Sequence, residues 1–256
     1  MKLNRLLAKY ESIGRSRAQA WIGAGLIQVN GQPVVNGDFE VTRFDRVTKE
    51  EIVVQSGRRA VYVMLHKPAG YVSATIDAEH PTVLDLIDDP DRTELHLAGR
   101  LDRASTGLVL LTNDGVWSKK ITEPVFKMPK VYRVTTVEPI SPDAVKAFAD
   151  GFYFHTEDLV TQPAKLIIVG EMEARVTLWE GRYHQIKRMF HRVGNRVSSL
   201  HRESIGALVL PSELAPGDWR YLTSLEVASM LGTQKTRIPQ GEIRAGNCGC
   251  EAPAGD

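Results

Sequence analysis

Four apolar residues, Leu108 to Leu111, stand between Arg100-Leu101-Asp102-Arg103 on one side and Thr112-Asn113-Asp114-Gly115 on the other. A run this short, closed by turn chemistry, reads as a buried strand. The segment before it reads as a loop in which one acid, Asp102, lies between two arginines. The fold must therefore bring a charged loop to the mouth of a buried strand. Taken alone, the arrangement fits a loop salt bridge. It also fits a carboxylate kept for nucleophilic or base chemistry.

The first sixty residues carry a separate pattern. Leu3, Leu6, Leu7 and Tyr10 recur at helical spacing. A second helix is expected from Ser16 as N-cap, with Gln19 completing a capping box and Gly25 ending it. Ala18, Trp21 and Ile22 give it an apolar side. The stretch LIQVNGQPV then reads as a hairpin turning at Asn30-Gly31. This helix-helix-hairpin unit is expected to span residues 1–57, with a flexible hinge near Ser56-Gly57.

A second domain is expected over residues 60–231. AVYVMLHKPAGY, KVYRVTTV and ARVTLWEG read as strands. Helices are predicted at VLDLI, after Ser141-Pro142 up to Gly151, over YHQIKRMFHRVG and at VASML. Thr82 with Asp85, and Thr223 with Glu226, have capping-box spacing. Strands and helices mix without regular alternation, which predicts an α+β fold rather than a doubly wound sheet. Residues 232–256 lose periodicity and are expected to form a flexible tail.

Charge is uninformative in total, at +1, but not in distribution. Basic residues outnumber acidic ones from Met1 to Arg59, where Arg15 and Arg17 decorate the second helix. Gly181 to Arg202 holds Arg182, Lys187, Arg188, Arg192, Arg196 and Arg202 and no acid. Two basic patches on a nearly neutral chain point to a polyanion held at two places. No apolar run approaches the roughly 20 residues of a membrane span. The N-terminus is too polar for a secretory signal. Two cysteines, Cys248 and Cys250, cannot staple a core, so a reducing cytoplasm is the expected compartment.

On a continuous helix, His184, Lys187, Arg188 and His191 would share one face. Such a face suits pairing with a carboxylate in a cleft, phosphate binding, or plain solvation. Tyr132, flanked by Lys130 and Arg133, suits base stacking as well as ordinary core packing. The turn Lys67-Pro68-Ala69-Gly70 says little alone. Dinucleotide and phosphate-loop signatures are absent, as are HExxH and CxxC pairs, and the histidines show no zinc spacing. Catalysis is therefore expected to use side chains only, with no metal and no cofactor. The residues by themselves lead to a two-domain protein that binds nucleic acid.

GRLDRASTGLVLLTNDG resembles the signature of the RsuA/RluB/RluE/RluF group of pseudouridine synthases. KPAGYVSAT, PKVYRV and EGRYHQIKRMFHRVGN resemble further blocks of that group in the expected order. SRAQAWIGAGLIQVNGQPV resembles an S4 RNA-binding domain. Together these blocks span nearly the whole chain except the tail. EGRYHQIKRMF, VGN and LHRESIG are most similar to the RsuA branch, which acts on the small ribosomal subunit. The chain departs from the group at His66, where Asn is usual, and at Asn4, where Asp is usual.

The resemblance implies a small S4 domain followed by an α+β domain with a mixed, largely antiparallel sheet and a central cleft. It implies cofactor-free isomerisation of a uridine to pseudouridine in small-subunit (16S) rRNA, at uridine 516. Asp102 would be the catalytic acid, Tyr132 would stack on the flipped base, and Lys187 would be the cation beside the acid. Arg100, Arg103, Lys67, Lys130, Arg182, Arg188, Arg15 and Arg17 are expected to contact RNA. The enzyme is expected to be a monomer, with rRNA or a partly assembled small subunit as its partner. Two other readings are a large-subunit (23S) enzyme of the same group and a non-catalytic RNA-binding assembly protein.

Overall fold

The computed structural model describes residues 1–126 and 128–231. The expected tail, with Cys248 and Cys250, lies outside the described residues. The chain divides into two compact units, one ending at Ala60 and the next beginning at Val61.

In the first unit, α1 (Leu3–Lys9) and α2 (Arg15–Gly23) accompany a sheet of β1 (Ile27–Val29), β2 (Gln32–Pro33), β3 (Val47–Lys49) and β4 (Ile52–Gln55), in the order β2-β1-β3-β4. Leu3, Leu7, Ala18 and Ile22 pack with Ile27, Val29, Val41 and Val47 in one cluster. The expected turn at Asn30-Gly31 has positive φ at both residues, 52° and 77°. That is the mirror-image turn whose twist suits a hairpin. The expected cap at Ser16 is not formed. Gly14, at φ 78°, is the N-cap, and Ser16 lies inside the helix. The left-handed glycine sets the helix entry, so no side chain is needed to turn the chain. Gly57, at φ 76°, lies close against the backbone of this unit. A Cβ there would stand 2.7 Å from the Phe44 carbonyl oxygen.

The second unit contains β5 (Tyr62–Lys67), β6 (His96–Leu97), β7 (Thr106–Thr112), α3 (Gly115–Thr122), β8 (Lys130–Thr136), α4 (Asp143–Asp150), β9 (Tyr153–Phe154), β10 (Leu159–Val160), β11 (Lys165–Gly170), β12 (Glu173–Leu178), α5 (Gln185–Arg192), β13 (Val197–Ile205), β14 (Leu208–Val209), β15 (Trp219–Tyr221) and α6 (Ser224–Ser229). Its main sheet runs β11-β12-β8-β13-β7-β5-β15. The β13–β7 pair is parallel, and the other neighbours along this path are antiparallel. The sheet is thus mixed and largely antiparallel.

Leu108 to Leu111 are fully buried in β7. Val109 and Leu111 join Val63, Leu65, Val134, Val176, Phe148 and Phe190 in the main core. The turn residues after the run launch a helix. Asp114 caps α3, its carboxylate accepting the Val116 and Trp117 N–H groups at 2.9 and 3.2 Å. Its other oxygen accepts the Tyr62 hydroxyl at 2.8 Å, tying α3 to the sheet. The capping boxes at Thr82/Asp85 and Thr223/Glu226 both form, the first on a short 3-10 turn, Val83–Leu86.

β13 carries two irregularities. The second follows Arg202: Arg202 pairs with Tyr132, and Ser204 with Val131, leaving Glu203 as an extra residue. Where β13 meets β7, Gly107 has φ +107° and a Cβ there would stand 2.4 Å from the Arg202 carbonyl oxygen. Gly107→Ala is expected to destabilise the fold by about 3 kcal/mol or more, through both backbone strain and this clash. Urea unfolding monitored by circular dichroism measures it.

Glu226 makes a two-pronged pair with Arg220, at 2.7 and 2.9 Å, and accepts the Thr223 N–H at 2.8 Å. The Arg220 guanidinium holds its carboxyl down at about 2. A lowered folded pKa stabilises above the unfolded value and loses that contribution as pH falls through the folded value. Glu226→Gln should therefore lower Tm at pH 7 by about 2–6 °C. Tm measured across pH should show the variant and parent converging between about pH 4.5 and pH 2.

Candidate active site

The loop Gly99–Ser105 reaches the sheet just before β7, and a cleft of about 600 Å³ opens beside it. Asp102 lies in this cleft with its side chain 26% exposed. Its Oδ2 is 2.9 Å from Lys187 Nζ, and its Oδ1 is 3.4 Å from His184 Nε2. Each carboxylate oxygen thus has its own partner, and both partners come from the start of α5.

The loop is fixed through its main chain. Ser73 Oγ donates to the Leu101 carbonyl at 2.7 Å and accepts the Leu101 N–H at 3.0 Å. Two buried cations hold four further carbonyls. Lys67 Nζ donates to Arg103 O at 3.1 Å and Ser105 O at 2.7 Å. Arg202 donates from Nη1 to Arg100 O at 3.2 Å and from Nε to Leu108 O at 2.7 Å. Charge-assisted bonds of this kind are about twice as strong as neutral ones. The loop is therefore rigid where Asp102 projects from it.

Lys67 is 0% exposed. The expectation that it contacts RNA is corrected. Its ammonium is enclosed by loop carbonyls, including Pro68 O at 3.0 Å. Burial pushes it down to about 8, against the opposing pull of Asp102. Lys130 is also buried, donates to Met128 O at 3.1 Å and is pushed down to about 8 by burial. It belongs to the cleft lining, not to an outer surface.

Tyr132, in β8, is 7% exposed and forms part of both the core and the cleft lining. The Arg202 guanidinium lies 5.9 Å from its ring centroid.

The approach to α5 is built on a buried acid, Glu180. It accepts Arg182 Nε at 2.9 Å, Gln185 Nε2 at 2.8 Å and the Gln162 N–H at 2.9 Å. Gln185 Oε1 in turn accepts the Arg182 N–H at 3.1 Å. His184 follows in the left-handed region, at φ 49°, and stacks on Tyr183 with ring centroids 3.9 Å apart.

The expected shared helical face therefore fails at its first residue, because His184 precedes the helix. His184 and Lys187 still converge on Asp102, and Arg188 turns away. Both its terminal nitrogens bind Glu157, at 2.7 and 2.8 Å, and its guanidinium lies 3.6 Å from the Phe154 ring centroid. Arg182 lines the cleft while bound to Glu180. Arg100 and Arg103 are exposed, and Arg103 Nε donates to Gly70 O at 3.2 Å. Arg15 and Arg17 are exposed on α2 of the first unit.

Sequence reasoning overlooked Arg202, Ser73, His184 as a partner of Asp102, and Glu180. Arg202 was visible only as one more cation in an acid-free stretch. Nothing in its immediate sequence marks it as buried. Among the described residues, no group of three or more His, Cys, Asp or Glu side chains is placed to hold a metal ion. No described helix is long and apolar enough to cross a membrane.

The geometry combines a directed carboxylate, an aromatic beside it and a ring of cations. Residues 61–192 match the family model for RNA pseudouridylate synthase. The chain is 50% identical over 230 residues to the ribosomal small subunit pseudouridine synthase A of Pseudomonas aeruginosa, covering 90% of this chain and 100% of that one. It is 43% identical over 233 residues to the protein of the same name from Escherichia coli K12, covering 90% and 100%. A crystal structure of a pseudouridylate synthase superposes with a TM-score of 0.65 at 37% identity, covering 90% of this chain and 99% of that one. The chain belongs to the RNA pseudouridylate synthase family and is an RNA pseudouridine synthase.

Proposed function

We propose that this chain converts a uridine of small-subunit (16S) rRNA to pseudouridine, with uridine 516 as the target and Asp102 as the reacting carboxylate. The observation that carries the role of Asp102 is its geometry: a carboxylate in an open cleft with each oxygen directed by a separate partner. The small-subunit target rests on the names of relatives 43–50% identical over nearly their full length.

The target base leaves its stack to reach the cleft. Asp102 acts at the sugar, either attacking C1′ or removing the C2′ proton. On either route the N1–C1′ bond breaks and its electron pair leaves with the uracil. The base turns within the cleft and C5 bonds to C1′; on the first route the Asp102–C1′ bond breaks in that step, and on the second Asp102 returns its proton to C2′. The C5 proton is then lost as N1 gains one. Atoms balance without any added reagent. Lys187 orients the carboxylate, and Tyr132 offers the flipped base an aromatic surface. The surrounding cations favour negative charge on the departing base.

Arg100, Arg103 and Arg182 at the cleft, and Lys130 on its floor, contact the RNA strand. The first unit, with Arg15 and Arg17 exposed, serves as an S4-type RNA-binding module. It adds affinity that weakens with salt. The enzyme works as a cytoplasmic monomer on rRNA or a partly assembled small subunit.

Asp102→Asn should slow product formation by at least about a thousandfold. RNA affinity should stay within about threefold, because the change is nearly isosteric and its ion pair is partly exposed. Tritium release from 5-tritiated uridine in a 16S transcript, together with filter binding, measures both. Normal turnover by this variant would remove Asp102 from the chemistry. In a deletion strain, pseudouridine mapping of both rRNAs should show loss at uridine 516 alone. Loss confined to 23S rRNA would reassign the target.

A further inference from the structure

Arg202 is 2% exposed, and among the described residues no carboxylate pairs with it. A buried charge without a counter-ion is costly to a fold. Its surroundings add to that cost. Lys67 and Lys130 are buried near it, and the charge of Arg202 contributes to pushing both ammoniums down. Among the described residues, two buried side-chain polar atoms lack a hydrogen-bond partner, Arg202 Nη2 and Ser105 Oγ. Both residues line the cleft that holds Asp102. The places where the fold is least satisfied thus lie around the reacting carboxylate.

The two hydrogen bonds of the Arg202 guanidinium bracket one loop. Nη1 reaches Arg100 O, two residues before Asp102, and Nε reaches Leu108 O in β7. One planar guanidinium thereby spans both ends of the segment that carries the acid. Its own backbone lies against Gly107, so the clamp and the strand share one anchor. A lysine ammonium is a point donor and lacks this fork. A hydrophobic side chain would pack there without the buried charge.

We propose that Arg202 is a positioning residue, which fixes Asp102 for reaction by spanning Arg100 O and Leu108 O, and that the fold keeps it at a cost in stability. The inference rests on Asp102 as the reacting carboxylate. Strain and unsatisfied polar groups collect at functional sites, where activity is retained against stability.

The test compares Arg202→Met, Arg202→Lys and the parent in full-length form. Single-turnover tritium release from the 16S transcript gives the rate at saturating enzyme, filter binding gives affinity, and calorimetry gives Tm. Arg202→Met should lose about a hundredfold in rate, the scale expected when a reacting group is misplaced by about 1 Å. Its RNA affinity should stay within about twofold, since the guanidinium acts through the loop rather than on bound RNA. Its Tm should equal or exceed that of the parent. Arg202→Lys should keep charge yet lose about tenfold in rate, because the shorter side chain and its point charge replace the guanidinium fork that meets the two carbonyls.

Rate and stability moving in opposite directions is the signature that a purely structural arginine does not give. The proposal is overturned by a Met variant that turns over within about threefold of the parent, or by one that fails to fold or melts markedly lower. It is also overturned by a Lys variant with the parent's rate. Asp102→Asn, run alongside, separates the two layers. If that variant is active, the reading beneath the proposal fails. If it is inactive while Arg202→Met is fully active, only the clamp fails.

Discussion

Strands β7 and β13 meet over two residue pairs, His201 with Thr106 and Arg202 with Gly107. This short parallel seam joins the antiparallel group β11-β12-β8-β13 to the group β7-β5-β15. The strands approach so closely that Gly107 has no room for a side chain. Because the seam lies at the start of β7, the loop before that strand is delivered to the junction of the two groups. Asp102 and Arg202 are brought together by that register, and Lys67 joins them through β5, where it stands opposite Gly107. Were β7 to pair elsewhere along β13, the loop would meet different cations, and the partners on α5 would no longer face the acid.

Charge in the second unit is sorted by partner. Glu157 takes Arg188, and Glu180 takes Arg182. Those acids lie outside the acid-free stretch from Gly181 to Arg202, so the stretch is less basic in space than in sequence. Lys187 is the member of the stretch that pairs with Asp102, with His184 beside it. Glu180 is buried and bonded by the backbone and side chains of the approach to α5. It has a second effect as well, since it fixes the direction from which Lys187 arrives.

Local chemistry was legible wherever it acts over a few residues. The Asn30-Gly31 turn, the boxes at Thr82 and Thr223, and the apolar run of β7 all declare themselves within a short window. The Ser16 cap did not form because Gly14, two residues earlier, already turned the chain. β13 was not legible because its alternation is interrupted twice, and period-two reading fails across a bulge. α3 was missed because Thr112 to Gly115 read as a turn, while Asp114 serves as a helix cap. The site divides in the same way. Asp102, Tyr132 and Lys187 were recognised from family blocks and do line one cleft. The burial of Lys67 and Arg202 depends on strands distant in sequence, and no local pattern distinguishes a cation enclosed by carbonyls from one in water.

The extra residue at Glu203 has a consequence for how this chain can vary in length. Opposite residues on neighbouring strands share a face. With the bulge, Ile205 rather than Ser204 lies opposite Lys130, and Ile205 is fully buried. Were Glu203 paired in regular register instead, the parity of everything after Arg202 would reverse, setting a serine where the isoleucine packs. Loops elsewhere can lengthen at small entropic cost, but here length and side are linked: loss of Glu203 alone would close the bulge and keep Ile205 opposite Lys130, whereas a further inserted residue would turn the end of the strand over. Across diverging relatives, the length change this short piece of β13 should accept is therefore loss of its bulge, with every later residue kept on its own side.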